Sequence, residues 1–306
     1  MKLFIIGNGF DLFHGFKTGY NHFKKYLQNN NCPVSTSFSL ATFFLEENED
    51  LWADFENRLD KVSYEAYGAE FSEDLTKERS DEDWDQAEKY NKALCDEFGE
   101  AVSNFKSKLC RAVSDFVIDA VNHNTPSKST AFSNVFSEKD LFVSFNYTRT
   151  LEKIYGIKRE QILYLHGIAY PKNAYNNVYY QDYDEPSIIF GHGNEHVEND
   201  YDNTIESDPF NPHEVLQILP ARLKKEYQIE KLTDFIKRAP QITELEIIGH
   251  GLGAVDQPYF LLLNKLISNL NSITYWYHSG DVESESTKKE KLQSFFPRKE
   301  IIIKYY

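Results

Sequence analysis

The sequence predicts an α/β protein built on a doubly wound, mostly parallel sheet. Two observations carry this expectation: short apolar runs alternate with helical patterns, and each run closes on a polar or glycine-rich turn. A third supports it, because TELEIIGHGLG late in the chain repeats the grammar of the opening MKLFIIGNGF: strand, glycine turn, helix. In such sheets ligands sit beyond the carboxyl ends of the strands, where the strand order reverses.

The first strand is the apolar run Leu3 to Ile6, and the helical spacing of Tyr20, Phe23, Tyr26 and Leu27 places the first helix behind the turn. Residues from about Phe38 to Val121 read as helical throughout. Phe43, Phe44, Leu51, Phe55 and Leu59 suit one helix; Leu94, Phe98, Val102, Phe105, Leu109 and Val113 suit a longer one. This block is expected as a helical insertion over residues 38–125 within a single domain spanning residues 1–306. Strands return at Leu141 to Phe145, at ILYLHG and at SIIFGHG, and a helical stretch runs from His213 to Arg238. SITYWYHS and IIIKYY supply two late strands, with a helix around Lys291 to Phe296 between them.

Composition narrows the function. A chain of 306 residues with 41% hydrophobic content can bury one large core or two ordinary ones. A net charge of −15 and a pI near 5.1 argue against nucleic acid as a partner, since phosphate neutralisation needs a surplus of Lys and Arg on one face. Cys32, Cys95 and Cys110 are too few and too scattered for a disulfide framework or a zinc site. The apolar start is too short for a signal segment and no run approaches the ~20 residues of a membrane span, so a cytoplasmic protein with no membrane partner is expected.

Several motifs place chemistry at strand ends. In GNGFD, glycines let backbone N–H groups approach a phosphate or ribose; a tight connection is the plainer alternative. Asn146 in SFNYT ends a buried run, where an amide needs a partner to satisfy it. His166 in YLHG follows the next strand directly, and two polar ends on neighbouring strands should point into one crevice. His192 and His250 close two further runs. GHGLG lacks a nucleophile, because Gly251 stands where a hydrolase elbow needs Ser. With Glu195, His196 and Asp200 the histidines admit a metal-dependent reading, but no metal is expected. Glu56 reads either as the edge of a packed helix or as a carboxylate reaching the crevice.

Taken in order, IIGNGFDLFHGFKTGYNHF, LWADFENRL, SFNYTRTLEKIY, YLHG, IIFGHG and IIGHGLGAVDQPYF resemble the bacteriophage abortive infection AbiH family over nearly the whole chain. That resemblance implies a phage-defence effector that arrests the infected cell in response to a phage-derived trigger. The opening is also similar to the sirtuin-like pattern G-A-G-x-S-x-x-x-G-[IL]-P, with Gly7, Gly9 and Gly15 on its glycines, Asp11 in place of Ser and Lys17 in place of Pro. SFNYT looks like the T-x-N-Y-D segment of sirtuin-like defence domains, YLHG places His166 on their His, and IIGHGLGAVD resembles their G-x-S-x-x-D-x-D loop.

These likenesses imply a Rossmann-like, sirtuin-like fold and NAD as substrate rather than cofactor, cleaved at the N-glycosidic bond. Asn146 and His166 are then the catalytic pair: Asn146 holds the ribose hydroxyls and the attacking water, and His166 acts as general base or orients a hydroxyl. The nucleotide ligand would be held by Gly7, Asn8, Gly9 and Phe10 at its pyrophosphate, by Arg149 at a phosphate, by Asp11 and Asp256 at ribose or adenine, and by Gly249 and His250 of the late loop. For Asp11 a second expectation stands beside this one, a tie between the loop and a helix. Two other readings remain open: a nucleotide-binding sensor without turnover, and a metal-dependent nuclease using His192, His196 and His250. The helical insertion is the candidate for a lid or for a surface that assembles copies of the chain.

Overall fold

The structure is a computed structural model that describes residues 1–29, 55–59, 106–107, 109–123, 130–170, 188–193, 223–281 and 283–306. Six strands form one sheet: β1 (Lys2–Ile6), β2 (Leu141–Ser144), β3 (Ile162–Tyr164), β4 (Glu244–Ile248), β5 (Ser272–Tyr277) and β6 (Glu300–Tyr305). Their order is β3-β2-β1-β4-β5-β6 and every pairing is parallel. This is the Rossmann-like arrangement, and its order reverses between β1 and β4.

β1 has a continuous apolar run because it is covered on both faces. Leu3 and Ile5 enter one core with Leu232, Phe260, Leu263 and Phe295, while Phe4 and Ile6 enter the other with Phe10, Phe132, Phe142 and Leu151. Fully burying a side chain of this size contributes about 1.5–3 kcal/mol, so the central strand anchors the fold from both sides. The first core is capped by α4 (Ile229–Lys237), α5 (Gln257–Leu266) and α6 (Glu285–Phe295); the second is covered in part by α1 (Asn8–Phe13) and α3 (Thr150–Tyr155).

Three local outcomes differ from the sequence expectation among the described residues, the first being that the helical stretch expected from His213 to Arg238 begins only at Ile229. The segment after β1 does not wait for Tyr20 to become helical: α1 starts at Asn8, and α2 (Tyr20–Asn29) follows. Nor does SIIFGHG supply a strand of the sheet. Ile188 to Phe190 are buried but irregular, and His192 makes only an isolated parallel bridge with Lys224. The run is short, and at Gly191, with φ +150°, a Cβ would stand 2.3 Å from the Leu223 carbonyl oxygen, so this backbone is shaped to meet residues 223–225 rather than a strand.

The chain divides into two compact units. One comprises Met1–His22, Val113–Ile189 and Glu226–Tyr306 and carries the sheet; the other comprises Phe23–Ala112 and Phe190–Lys225. Most of the expected insertion over residues 38–125 lies outside the described residues. Within the second unit the stacked rings of Phe55 and Phe190 and the ion pair of Glu56 with Lys225 at 2.8 Å join its two segments. Glu56 is thereby paired with a lysine whose side chain is fully buried. No described helix is long and apolar enough to cross a membrane.

Register positions the site. Ile6, Ser144, Tyr164 and Ile248 form one row across β1, β2, β3 and β4. Two residues beyond that row stand Asn8, Asn146, His166 and His250, four polar residues at the carboxyl ends of adjacent strands. The crevice at the reversal of strand order is therefore the place to look for chemistry.

Candidate functional site at the reversal of strand order

The turn after β1 and the turn after β4 touch backbone to backbone. The Gly7 N–H donates to the Ile248 carbonyl at 3.0 Å and the Gly9 N–H to the Gly249 carbonyl at 2.7 Å. A Cβ on Gly7 would stand 2.5 Å from the His250 Cα, one on Gly9 2.8 Å from the Gly249 Cα, and one on Gly249 2.1 Å from the Phe10 nitrogen. Gly249 also has φ +66°, the left-handed region that glycine adopts without penalty. Close approach of two loops thus accounts for these three glycines. It has a cost for ligand binding: the N–H groups of Gly7, Gly9 and Phe10 all donate within the protein, the last to the Gly7 carbonyl at 3.0 Å. Gly251 and Gly253 differ, since a Cβ on either would meet open space.

Asn146 is almost fully buried and reaches across to β1. Its Nδ2 donates to the Gly7 carbonyl at 3.0 Å, whereas its Oδ1 is buried without a hydrogen-bond partner among the described residues. A buried acceptor left unmatched costs about 1–3 kcal/mol, so it marks a position built for a donor.

Beside it, Asp11 is 1% exposed and accepts from the hydroxyls of Thr148 and Thr150, each at 2.6 Å. The carboxylate ties α1 to the start of α3. Burial pushes its pKa up to about 6, against the opposing hydrogen bonds of Thr148, Thr150 and Asn146. His14, one turn further on, accepts no ligand role: its ring bridges the Phe10 carbonyl at 2.6 Å and the Tyr155 hydroxyl at 2.7 Å, and burial lowers its pKa despite the Phe10 bond.

On the other side of the crevice two buried histidines flank one carboxylate. His250 Nε2 lies 3.2 Å from Asp256 Oδ2, and His166 Nε2 lies 3.5 Å from Asp256 Oδ1. The Leu252 N–H donates to His250 Nδ1 at 2.9 Å, so Nδ1 is the acceptor nitrogen and Nε2 the one that faces Asp256. The Phe145 ring packs edge-on against both imidazoles, at 4.9 Å from His166 and 4.5 Å from His250. The Tyr275 hydroxyl holds the His250 carbonyl at 3.0 Å, and Lys288 Nζ holds the Gly251 carbonyl at 2.7 Å, so the late loop is fixed at two points.

Comparison with known proteins gives a single result at the level of families. Residues 3–277 match the family described as bacteriophage abortive infection AbiH. The chain belongs to that family. No curated protein and no solved structure matches the chain. AbiH membership carries the coarse functional statement, abortive infection as a defence against phage.

In this AbiH chain the crevice brings together Gly7, Gly9, Asn146, His166, Gly249, His250 and Asp256, while other residues singled out in the sequence are engaged elsewhere. Asn8 exchanges hydrogen bonds with Thr18, through its amide to the Thr18 carbonyl and through its Oδ1 from the Thr18 hydroxyl. The Phe10 side chain belongs to the second core. Arg149 donates to both carboxylate oxygens of Glu152, which also accepts from the Tyr164 hydroxyl at 2.9 Å. His192 lies in the second unit, and Glu195, His196 and Asp200 lie outside the described residues. Thr148, Thr150, Leu252 and Lys288 shape the site without having been singled out by spacing. Thr148 and Thr150 carried a usable signal, two hydroxyls just after SFN and close to a helix start, where such side chains commonly bond to a nearby acceptor.

Proposed function

We propose that this AbiH protein is an abortive-infection effector that hydrolyses NAD, or a related nucleotide, at the bond between the base and the ribose. The observation that carries the reading is the Asn146 amide oxygen, buried and unpartnered at the reversal of strand order. A ribose hydroxyl or a water molecule is a donor of the right size for it. His166, two residues past the same row of the sheet, is the buried base beside it.

The chemistry balances with these groups alone. The bond between C1′ and the nicotinamide nitrogen breaks with its electron pair passing to the pyridinium, which leaves as neutral nicotinamide. An oxocarbenium-like ribose forms, and a water oxygen held by Asn146 attacks C1′. His166 takes the proton that water loses, giving ADP-ribose, nicotinamide and one proton. Burial strengthens each electrostatic contact in the crevice, and a pre-positioned amide needs no reorganisation as charge develops.

The ligand's phosphates need donors other than the N–H groups of Gly7, Gly9 and Phe10. The open space at Gly251 and Gly253 lets a ligand approach the backbone of the late loop. Such a substrate places the activity in the cytoplasm, and a phage-derived trigger would release it.

Purified protein is incubated with NAD, alone and with extracts of phage-infected cells, and nicotinamide is followed by chromatography. Nicotinamide release that disappears in Asn146→Ala and His166→Ala is the expected result. Intact NAD under every condition, with no binding by calorimetry, overturns the reading.

A further inference from the structure

We infer that Asp256 and His250 act on His166 as positioning residues: a fixed carboxylate, held by a histidine locked in its neutral form, stabilises the positive charge that His166 acquires when it accepts a proton. This deepens the proposed hydrolysis and rests on it for the identity of the reaction. It assigns Asp256 to His166 rather than to the ribose or adenine of the ligand.

The asymmetry between the two histidines originates at Leu252. This residue is buried, yet its backbone lies at φ +56°, in the left-handed region that side chains other than glycine seldom adopt. In that conformation its N–H reaches His250 Nδ1 at 2.9 Å. A nitrogen that accepts this bond does not also carry a proton, which leaves Nε2 as the protonated nitrogen of the ring. Local strain of this kind persists where the surroundings over-determine it, and it is often part of a mechanism. Here its effect is to turn His250 Nε2 toward Asp256 Oδ2, 3.2 Å away.

Asp256 thus has one oxygen 3.2 Å from His250 Nε2 and the other 3.5 Å from His166 Nε2. Its side chain is only 16% exposed, so solvent screens the pair weakly. Among the described residues, the groups that face the His166 ring from the elements around it include Phe145 and Tyr147 beyond β2, and Tyr259 of α5 together with Asp256 at its start. The Tyr147 hydroxyl donates to the Ile189 carbonyl and the Tyr259 hydroxyl accepts from the Gln228 N–H. Asp256 is the carboxylate of this set. An opposite charge at this separation favours the imidazolium, and one that is already oriented does so without rearrangement. Two histidines at one carboxylate look symmetrical; Leu252 makes them unequal.

The test separates this inference from the reaction it serves. Histidine side chains labelled with 15N are followed by NMR from pH 5 to 9 in the full-length protein without substrate. The expected result is that the His250 nitrogens keep the neutral pattern throughout, that His166 takes up a second proton, and that Asp256→Asn lowers the pH midpoint of that uptake. His250 titrating alongside His166, or a His166 midpoint unmoved by Asp256→Asn, overturns it.

Kinetics supply the second arm with NAD as the probe. Asp256→Asn should lower kcat by about 10²-fold or more and leave KM within about threefold; His250→Phe should do the same, and His250→Gln, which restores a side-chain N–H, should recover part of the loss. A raised KM with kcat retained would show a ligand contact and sink the assignment. Should the wild-type protein release no nicotinamide while the NMR pattern holds, the reaction is wrong and the relay stands.

Discussion

Gly249 and Phe10 meet so closely that a Cβ on Gly249 would stand 2.1 Å from the Phe10 nitrogen. The contact joins the turn after β4 to the turn after β1 and sets the floor of the crevice. Gly249→Ala must both hold a left-handed backbone and displace α1, which together should cost at least about 2 kcal/mol. Gly251→Ala, two residues on in open space, should stay within about 0.5 kcal/mol of the wild type. Urea unfolding of the two variants measures the contrast, and equal losses would show that the loops do not depend on this approach. Gly251→Phe should keep the fold and weaken NAD binding, because its ring occupies the space the ligand would use.

Asp11 makes the stability of the fold depend on pH. Its folded-state pKa is pushed up to about 6 by burial, above the unfolded value near 3.9, so the folded protein binds the proton more tightly. The contribution to stability is fully present below about pH 4 and is lost as pH rises through about 6. Asp11→Asn lacks this loss. The stability of the variant relative to wild type should therefore rise between pH 4 and pH 7, by on the order of 2–3 kcal/mol. Urea unfolding at the two pH values checks it, and a constant difference would mean that Asp11 titrates at an ordinary pH.

Much of the fold could be read from the sequence because parallel strands covered on both faces leave unbroken apolar runs, as in Leu3 to Ile6 and Leu141 to Phe145. The strand ends were legible for a related reason. A polar residue two positions past a buried run has no role in the core, and Asn146, His166 and His250 all occupy that position. SIIFGHG has the same grammar and is not in the sheet. Its run is buried against residues distant in the chain, and a short apolar stretch looks the same in either setting. The glycines of GNGF misled in a different way. A glycine needed for contact with a ligand and one needed for contact with Gly249 or His250 leave the same mark, and nothing local says which backbone will approach. Asp11 is similar, for its partners Thr148 and Thr150 are neighbours only in the folded chain.

Lys288 holds the late loop from behind. It is nearly fully buried on α6, and its Nζ donates to the Gly251 carbonyl at 2.7 Å and lies 2.9 Å from Glu283. Lys288→Met keeps the stem and removes the charge. Glu283 is one-third exposed and retains Lys291, so the ionic loss is modest; the loss of the hydrogen bond to the Gly251 carbonyl matters more. The variant should lose about 1–2 kcal/mol and show faster hydrogen exchange at residues 251–253, with β1 and β2 unchanged. Exchange that stays uniform would place the anchor of the loop elsewhere.

Asn146→Ala sets activity against stability. The wild-type amide has one matched group, Nδ2 on the Gly7 carbonyl, and one unmatched, Oδ1. Truncation removes the favourable bond and the unsatisfied acceptor together, so the two effects offset and stability should change by less than about 1 kcal/mol. Turnover has no such offset. An amide that holds water and ribose in the transition state is worth about 10²–10³ in kcat, and its loss should appear in nicotinamide release at saturating NAD. A variant that melts well below the wild type, yet turns NAD over at an undiminished rate, would mark Asn146 as a bridge between β1 and β2 and nothing more. The opposite pattern, an intact melt with lost turnover, is what an acceptor kept unpartnered at the cost of stability requires.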